Sequence, residues 1–279
     1  MILPQSSKPN FLQKFLGKNY KWWYFFVFRF KSATTYRMGT FLWFLGSLLE
    51  LSGLIFVWWL NKQSGSQINF SQVFTYLVVG RIINGLTDID EVFWFGSQLA
   101  QNRGDSTKLL MLPNNFNGML TYLLVKYLGS SVTYFLFNTF WLIIFVLIFS
   151  QWLILPTSWL FLFWLPFFVI ITLFIRFLLN FCIGMLALWT VDAGGIWNLF
   201  GSVSRVLTGS AFPLNLHPLT NFALYLPFAY IYFYPMNLYF QNEQPIFILL
   251  YGIFWCVVLY FLAKLVFKLG LKKNEAVGL

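Results

Sequence analysis

Six long apolar stretches follow one another along the chain, separated by short polar breaks. The first, Phe41 to Leu60, would rise about 30 Å as a helix, one hydrocarbon thickness. The second starts at Phe70 and runs to about Leu99, interrupted by Arg81 and by the group Asp88, Asp90 and Glu91. The third covers Leu120 to Ser150, and the fourth Trp159 to Trp189, long enough that its end should project beyond the bilayer. A short fifth stretch, Trp197 to Phe212, leads into a proline-marked segment from Pro213 to Tyr234, and the sixth runs from Ile246 to Gly270. This pattern predicts an all-α integral membrane fold. A six-helix transmembrane domain over 41–270 is expected between an N-terminal segment, 1–40, and a tail, 271–279.

Composition agrees. Of 279 residues, 59% are hydrophobic, 23% aromatic and 9% charged, where a soluble chain averages about 25% charged. With a mean hydropathy of +0.72, a soluble domain, a disordered chain, a collagen and a disulfide scaffold are all excluded. Cys182 and Cys256 lie inside apolar runs and read as small core residues. The net charge of +10 would suggest nucleic acid in a soluble protein. Here the basic residues instead collect at particular loops, and no nucleic-acid partner is expected.

Their distribution gives an orientation. Lys8, Lys14, Lys18, Lys21, Arg29, Lys31 and Arg37 precede the first stretch; Arg103 and Lys108 follow the second; Lys264, Lys268, Lys272 and Lys273 end the chain. The opposite loops offer Lys62 alone. By the positive-inside rule, both termini are cytoplasmic. The first residues, with their lysines and no continuous apolar core, do not read as a cleavable signal.

Two flanking segments have their own character. From Phe11 to Lys31, aromatic residues interleave with lysines, as in an amphipathic helix lying in the interface against membrane lipid. On the outer side, Pro213, Pro227 and Pro235 break a segment with almost no charge. Apolar, broken backbone of this kind predicts short re-entrant helices packed into the outer leaflet.

Catalytic chemistry is sparse. His217 stands alone in a loop, and no His/Cys cluster has metal-ligand spacing. Neither a GxSxG elbow nor a GxxxxGK[ST] phosphate loop occurs. The triplet Asn69-Phe70-Ser71 reads as a chance glycosylation match. No catalytic, cofactor or metal residues are assigned, and any ATP work must come from another polypeptide.

The charges inside apolar stretches are the remaining signal, because they are costly there and normally face protein or water. Glu50 and Arg81, counted from opposite membrane sides, reach similar depth and are expected to pair, as a structural clamp or as part of a substrate path. Asp88, Asp90 and Glu91 read as a hydrated helix end. Arg176 and Arg205 are expected to snorkel toward cytoplasmic phosphates, or toward Asp192.

One loop is distinctive. Between Asn102 and Pro113 a glycine turn, Gly104-Asp105, precedes a short apolar helix bearing Leu109, Leu110 and Leu112 and closed by Pro113, suited to a groove on a partner protein. This Leu-Leu-x-x-Pro loop resembles the coupling helix of ABC-2 type exporter permeases. The run Phe181 to Trp189 followed by Asp192-Ala193 is similar to the end of their fourth span. The segments Gly209 to Leu214 and Leu226 to Tyr230 resemble their fifth-span exit and extracellular re-entrant helices. Order and spacing fit from about residue 20 to 270, closest to bacterial six-span permeases found as paired, non-identical subunits.

The resemblance implies a permease subunit of the inner membrane that exports a drug, lipid or other hydrophobic compound. It implies a second permease subunit and two cytoplasmic ABC ATPase subunits, with ATP and magnesium on the ATPase. Gly104, Asp105, Leu109, Leu110 and Pro113 would form its coupling helix. An ion-driven transporter or channel, and a polytopic enzyme acting on lipid, are the alternatives left by the residues alone.

Overall fold

The computed structural model describes residues 20–35, 37–65, 69–101, 116–156, 159–190, 193–214, 218–240 and 244–278. The predicted coupling segment, with Gly104, Asp105, Leu109, Leu110 and Pro113, lies outside them, as do Asp192 and His217. Among the described residues all regular structure is helical: α1 (Tyr20–Thr35), α2 (Arg37–Gln63), α3 (Phe70–Leu86), α4 (Trp94–Gln101), α5 (Phe116–Ile148), α6 (Leu160–Met185), α7 (Ala193–Leu207), α8 (Phe233–Phe240) and α9 (Pro245–Gly278). Short 3₁₀ helices cover Asp90–Phe93, Ser150–Trp152, Leu186–Leu188, Pro218–Tyr225 and Pro227–Ile231.

Each of the six apolar stretches is helical, but not as drawn from sequence. Among the described residues, four helices have the length and hydropathy to cross a membrane: Phe44–Gln63, Phe116–Ile148, Leu160–Leu188 and Pro245–Lys272. The second stretch is not continuous. α3 stops at Leu86, and the chain turns through Thr87 to Ile89 before the 3₁₀ helix and α4. The fifth lies earlier than predicted, Ala193–Leu207, and ends in a turn at Gly209, whose φ of +80° is open to glycine without strain. The sixth continues through the expected tail to Gly278.

Local chemistry accounts for the ends. Asn69 caps α3, its Oδ1 accepting from the backbone N–H of Ser71 and Gln72 at 3.1 and 3.4 Å. Below α3, Gly96 and Gly184 let α4 and α6 touch at the backbone: a Cβ on Gly96 would collide with the Gly184 carbonyl, and one on Gly184 with that of Phe93.

α6 forms the centre, packed along α9 and against the 3₁₀ helix at Asp90–Phe93, while α5 holds α1 and α3. Phe168, Ile175, Phe177, Phe181 and Met185 of α6 are buried in one core with Phe74 and Leu77 of α3. α1 lies across α5, with Phe25 stacked on Tyr122 at 5.3 Å and the Phe30 carbonyl accepting from Thr133 Oγ1 at 3.3 Å. Trp23, Tyr24 and Phe28 remain outward.

The proline-marked segment folds inward on buried hydroxyls. Tyr232 donates to the Leu77 carbonyl at 2.8 Å, Tyr76 to Gly209 at 2.7 Å, Thr172 to Tyr230 at 2.8 Å and Tyr230 to Ile248 at 2.7 Å. These bonds tie the segment to α3, α6 and α9. Pro213 follows the Gly209 turn, and Pro227 opens a 3₁₀ helix. Pro235 is a correction, because it breaks nothing. It is the third residue of α8, in the first turn, where an absent N–H costs no hydrogen bond.

Candidate functional site

Two charge clusters lie inside the apolar body. The looser one lines an open cleft of about 480 Å³ between α2, α3 and α7, bounded by Leu54, Val57, Leu77, Val206, Ser202 and Tyr232 among others. Glu50 of α2 sits between two arginines. Arg81 Nη2 of α3 approaches its Oε2 at 3.4 Å, and Arg205 Nη1 of α7 its Oε1 at 3.3 Å. Both distances are longer than the 2.7–2.9 Å usual for ionic hydrogen bonds. The side chains are also partly open, 37% for Glu50 and 59% for Arg205, so each contact is weak and adjustable.

The tighter cluster closes the break below α3. Arg176 of α6 has a side chain only 9% exposed. Its Nε donates to Asp90 Oδ1 at 2.8 Å, its Nη2 to Asp90 Oδ2 at 2.9 Å, and its Nη1 to Asn84 Oδ1 at 2.7 Å. A fourth contact joins Nη2 to Asp88 Oδ1 at 3.3 Å. Asn180, one turn along α6, donates to Asp90 Oδ1 at 2.8 Å. The guanidinium thus holds Asp90 in bidentate fashion and binds the end of α3 at the same time. Glu91 turns the other way, accepting from Ser130 of α5 at 3.1 Å.

Sequence reasoning and structure diverge here. Glu50 and Arg81 are brought together, but Arg205 shares the same carboxylate instead of snorkelling. Arg176 turns inward to Asp88 and Asp90, because a buried guanidinium is satisfied better by two carboxylates and the side-chain and backbone carbonyls of Asn84 than by distant phosphates. The hydrated helix end is therefore a structural joint. Equal depth was the missed signal: α3 and α6 run the same way, and Arg176, counted from the start of α6, lies about as deep as Asp88 just past the end of α3.

No group of three His, Cys, Asp or Glu side chains suited to a metal ion occurs among the described residues. Cys182 and Cys256 are both free thiols. The two clusters can bind, orient and hold helices together; they offer no nucleophile beside a base.

No curated protein and no solved structure matches the chain. A family model described as ABC-2 family transporter protein matches residues 48–278, which takes in both clusters, the cleft and every helix from the middle of α2 onward. The chain therefore belongs to the ABC-2 transporter family, as a multi-pass membrane permease component of an ABC transporter.

Proposed function

We propose that this permease subunit exports a hydrophobic compound across the cytoplasmic membrane, driven by ATP hydrolysed on separate cytoplasmic ABC ATPase subunits and working beside a second permease subunit. Six crossings with both termini inside, α1 in the interface and the 213–240 segment at the outer leaflet fit the basic-residue distribution and the helix order. The observation that carries the reading is the course of residues 70–101. Arg81 on α3 lines the cleft; the joint held by Arg176 follows; α4 then ends at Gln101, next in sequence to the loop read as the coupling helix. One stretch of chain thereby links an energy input to a path wall. For such coupling, ATP-driven closure must favour one of two packings, and the cargo must bind them unequally.

Co-purification tests this. Wild-type permease should retain its ATPase, and Leu109→Asp combined with Leu110→Asp should release it while membrane insertion stays normal. Unaltered ATPase retention by that double variant would remove the coupling assignment.

A further inference from the structure

The cleft between α2, α3 and α7 carries an unequal charge. Its lining includes three ionisable groups of definite charge, Arg81, Arg205 and Glu50, so two guanidiniums face one carboxylate. Each arginine gives Glu50 a single long contact, although a guanidinium has five N–H donors. The remaining polar groups do not balance them. Tyr232 spends its hydroxyl proton on the Leu77 carbonyl, and Ser210 Oγ donates to the Arg205 carbonyl at 3.3 Å. Asp88 and Asp90 lie further along the α3 side, outside the lining, and are held by Arg176. Around this cationic end the walls are aliphatic: Leu51, Leu54, Val57, Leu77 and Val206.

A cationic guest would meet a carboxylate already flanked by two cations. A neutral one would leave the surplus charge without a partner in apolar surroundings, where charge is most costly. The geometry points to an anionic amphiphile as the ligand of this cleft: a phosphate or carboxylate head between Arg81 and Arg205, and an apolar body along Leu54, Val57 and Val206. This rests on reading the cleft as part of the transport path. Glu50 then acts as a resident stand-in for the head group, keeping the arginines apart and oriented until a guest anion takes over some of their donors.

The test is binding to the full permease in phosphatidylcholine nanodiscs, with dodecyl phosphate, dodecyltrimethylammonium and dodecyl maltoside as probes. Dodecyl phosphate should bind about tenfold or more tighter than the other two, the equivalent of one charge-assisted hydrogen bond. Arg205→Gln, a change at a largely open side chain, should weaken it by about tenfold. Glu50→Gln should strengthen it several-fold, the opposite of what a purely structural clamp predicts. Adding phosphatidylglycerol to the discs separates two sources of the same chemistry: competition identifies a resident lipid head group, and undiminished binding identifies a free cargo. Equal binding of the three probes, an unchanged affinity in Arg205→Gln, or weaker binding in Glu50→Gln would each overturn the inference. No ATPase enters this assay, so its outcome is independent of whether the coupling loop is assigned correctly.

Discussion

Arg176 and Asp90, 86 residues apart in sequence, meet through two parallel hydrogen bonds of 2.8 and 2.9 Å at the point where the second apolar stretch is interrupted. Their geometry is the short, bidentate kind that resists distortion, whereas Glu50 holds its arginines at 3.3 and 3.4 Å. One cluster is a joint, and the other can exchange partners.

Arg176→Gln should therefore destabilise the permease strongly, by about 3 kcal/mol, because Asp90 loses its countercharge. Asp90→Asn combined with Arg176→Gln should cost less than the two single changes added together. Thermal unfolding in detergent across this cycle measures the coupling; strict additivity would show that the two side chains do not act as a pair.

Glycine substitutions should sort by contact. Gly96→Ala and Gly184→Ala force backbone apart and should each cost about 1–3 kcal/mol. Gly46→Ala and Gly201→Ala, where a Cβ meets nothing within 4 Å, should leave stability unchanged or slightly raised. Melting temperatures of the four variants under one detergent condition decide it, and a loss at Gly46 matching that at Gly96 would contradict the packing.

Removing one buried hydroxyl from the inward-folded segment should have a moderate effect. Tyr232→Phe deletes the bond to the Leu77 carbonyl but keeps the ring, so about 1 kcal/mol should be lost. Tyr251→Phe removes a bond of similar length at an exposed position and should cost less. Reversed order in unfolding midpoints would count against the anchoring role of Tyr232.

Membrane orientation can be read chemically. With Cys182 and Cys256 changed to Ser, a single cysteine at Ser64 should react with an impermeant maleimide added to intact cells. One at Lys272 should react only in inside-out vesicles. The opposite labelling would invert the proposed topology.

Much of this architecture is legible in the sequence, for a physical reason. Lipid demands about 20 apolar residues per crossing helix, so the runs beginning at Phe41, Leu120, Trp159 and Ile246 announce themselves. The interruption after Leu86 is harder to read. Its carboxylates look like an ordinary polar end until Arg176 is known to face them, and no local spacing relates residues 90 and 176. Arg205 escaped for a similar reason: α7 begins at Ala193, not near Trp197, and that shift puts Arg205 in its last turn, level with Glu50 of α2. Pro235 misled because proline ends a helix in its interior but suits its first turn. Gly104 to Pro113 rest on sequence pattern alone.

α7 contains no buried residue, and in water such a helix would drift away from its domain. In a bilayer its leucines and valines gain little by choosing protein over lipid tails, so apolar contact does not decide where it stands. That choice falls to a few polar pins: Arg205 on Glu50, and the turn at Gly209 whose carbonyl accepts from Tyr76. One pin is buried and short; the other is open and long. Between the buried bond at the Gly209 turn and Trp197, whose ring lies 4.8 Å from that of Phe93, the long Arg205–Glu50 contact is what joins α7 to α2, so an open ion pair rather than apolar packing sets this wall of the cleft.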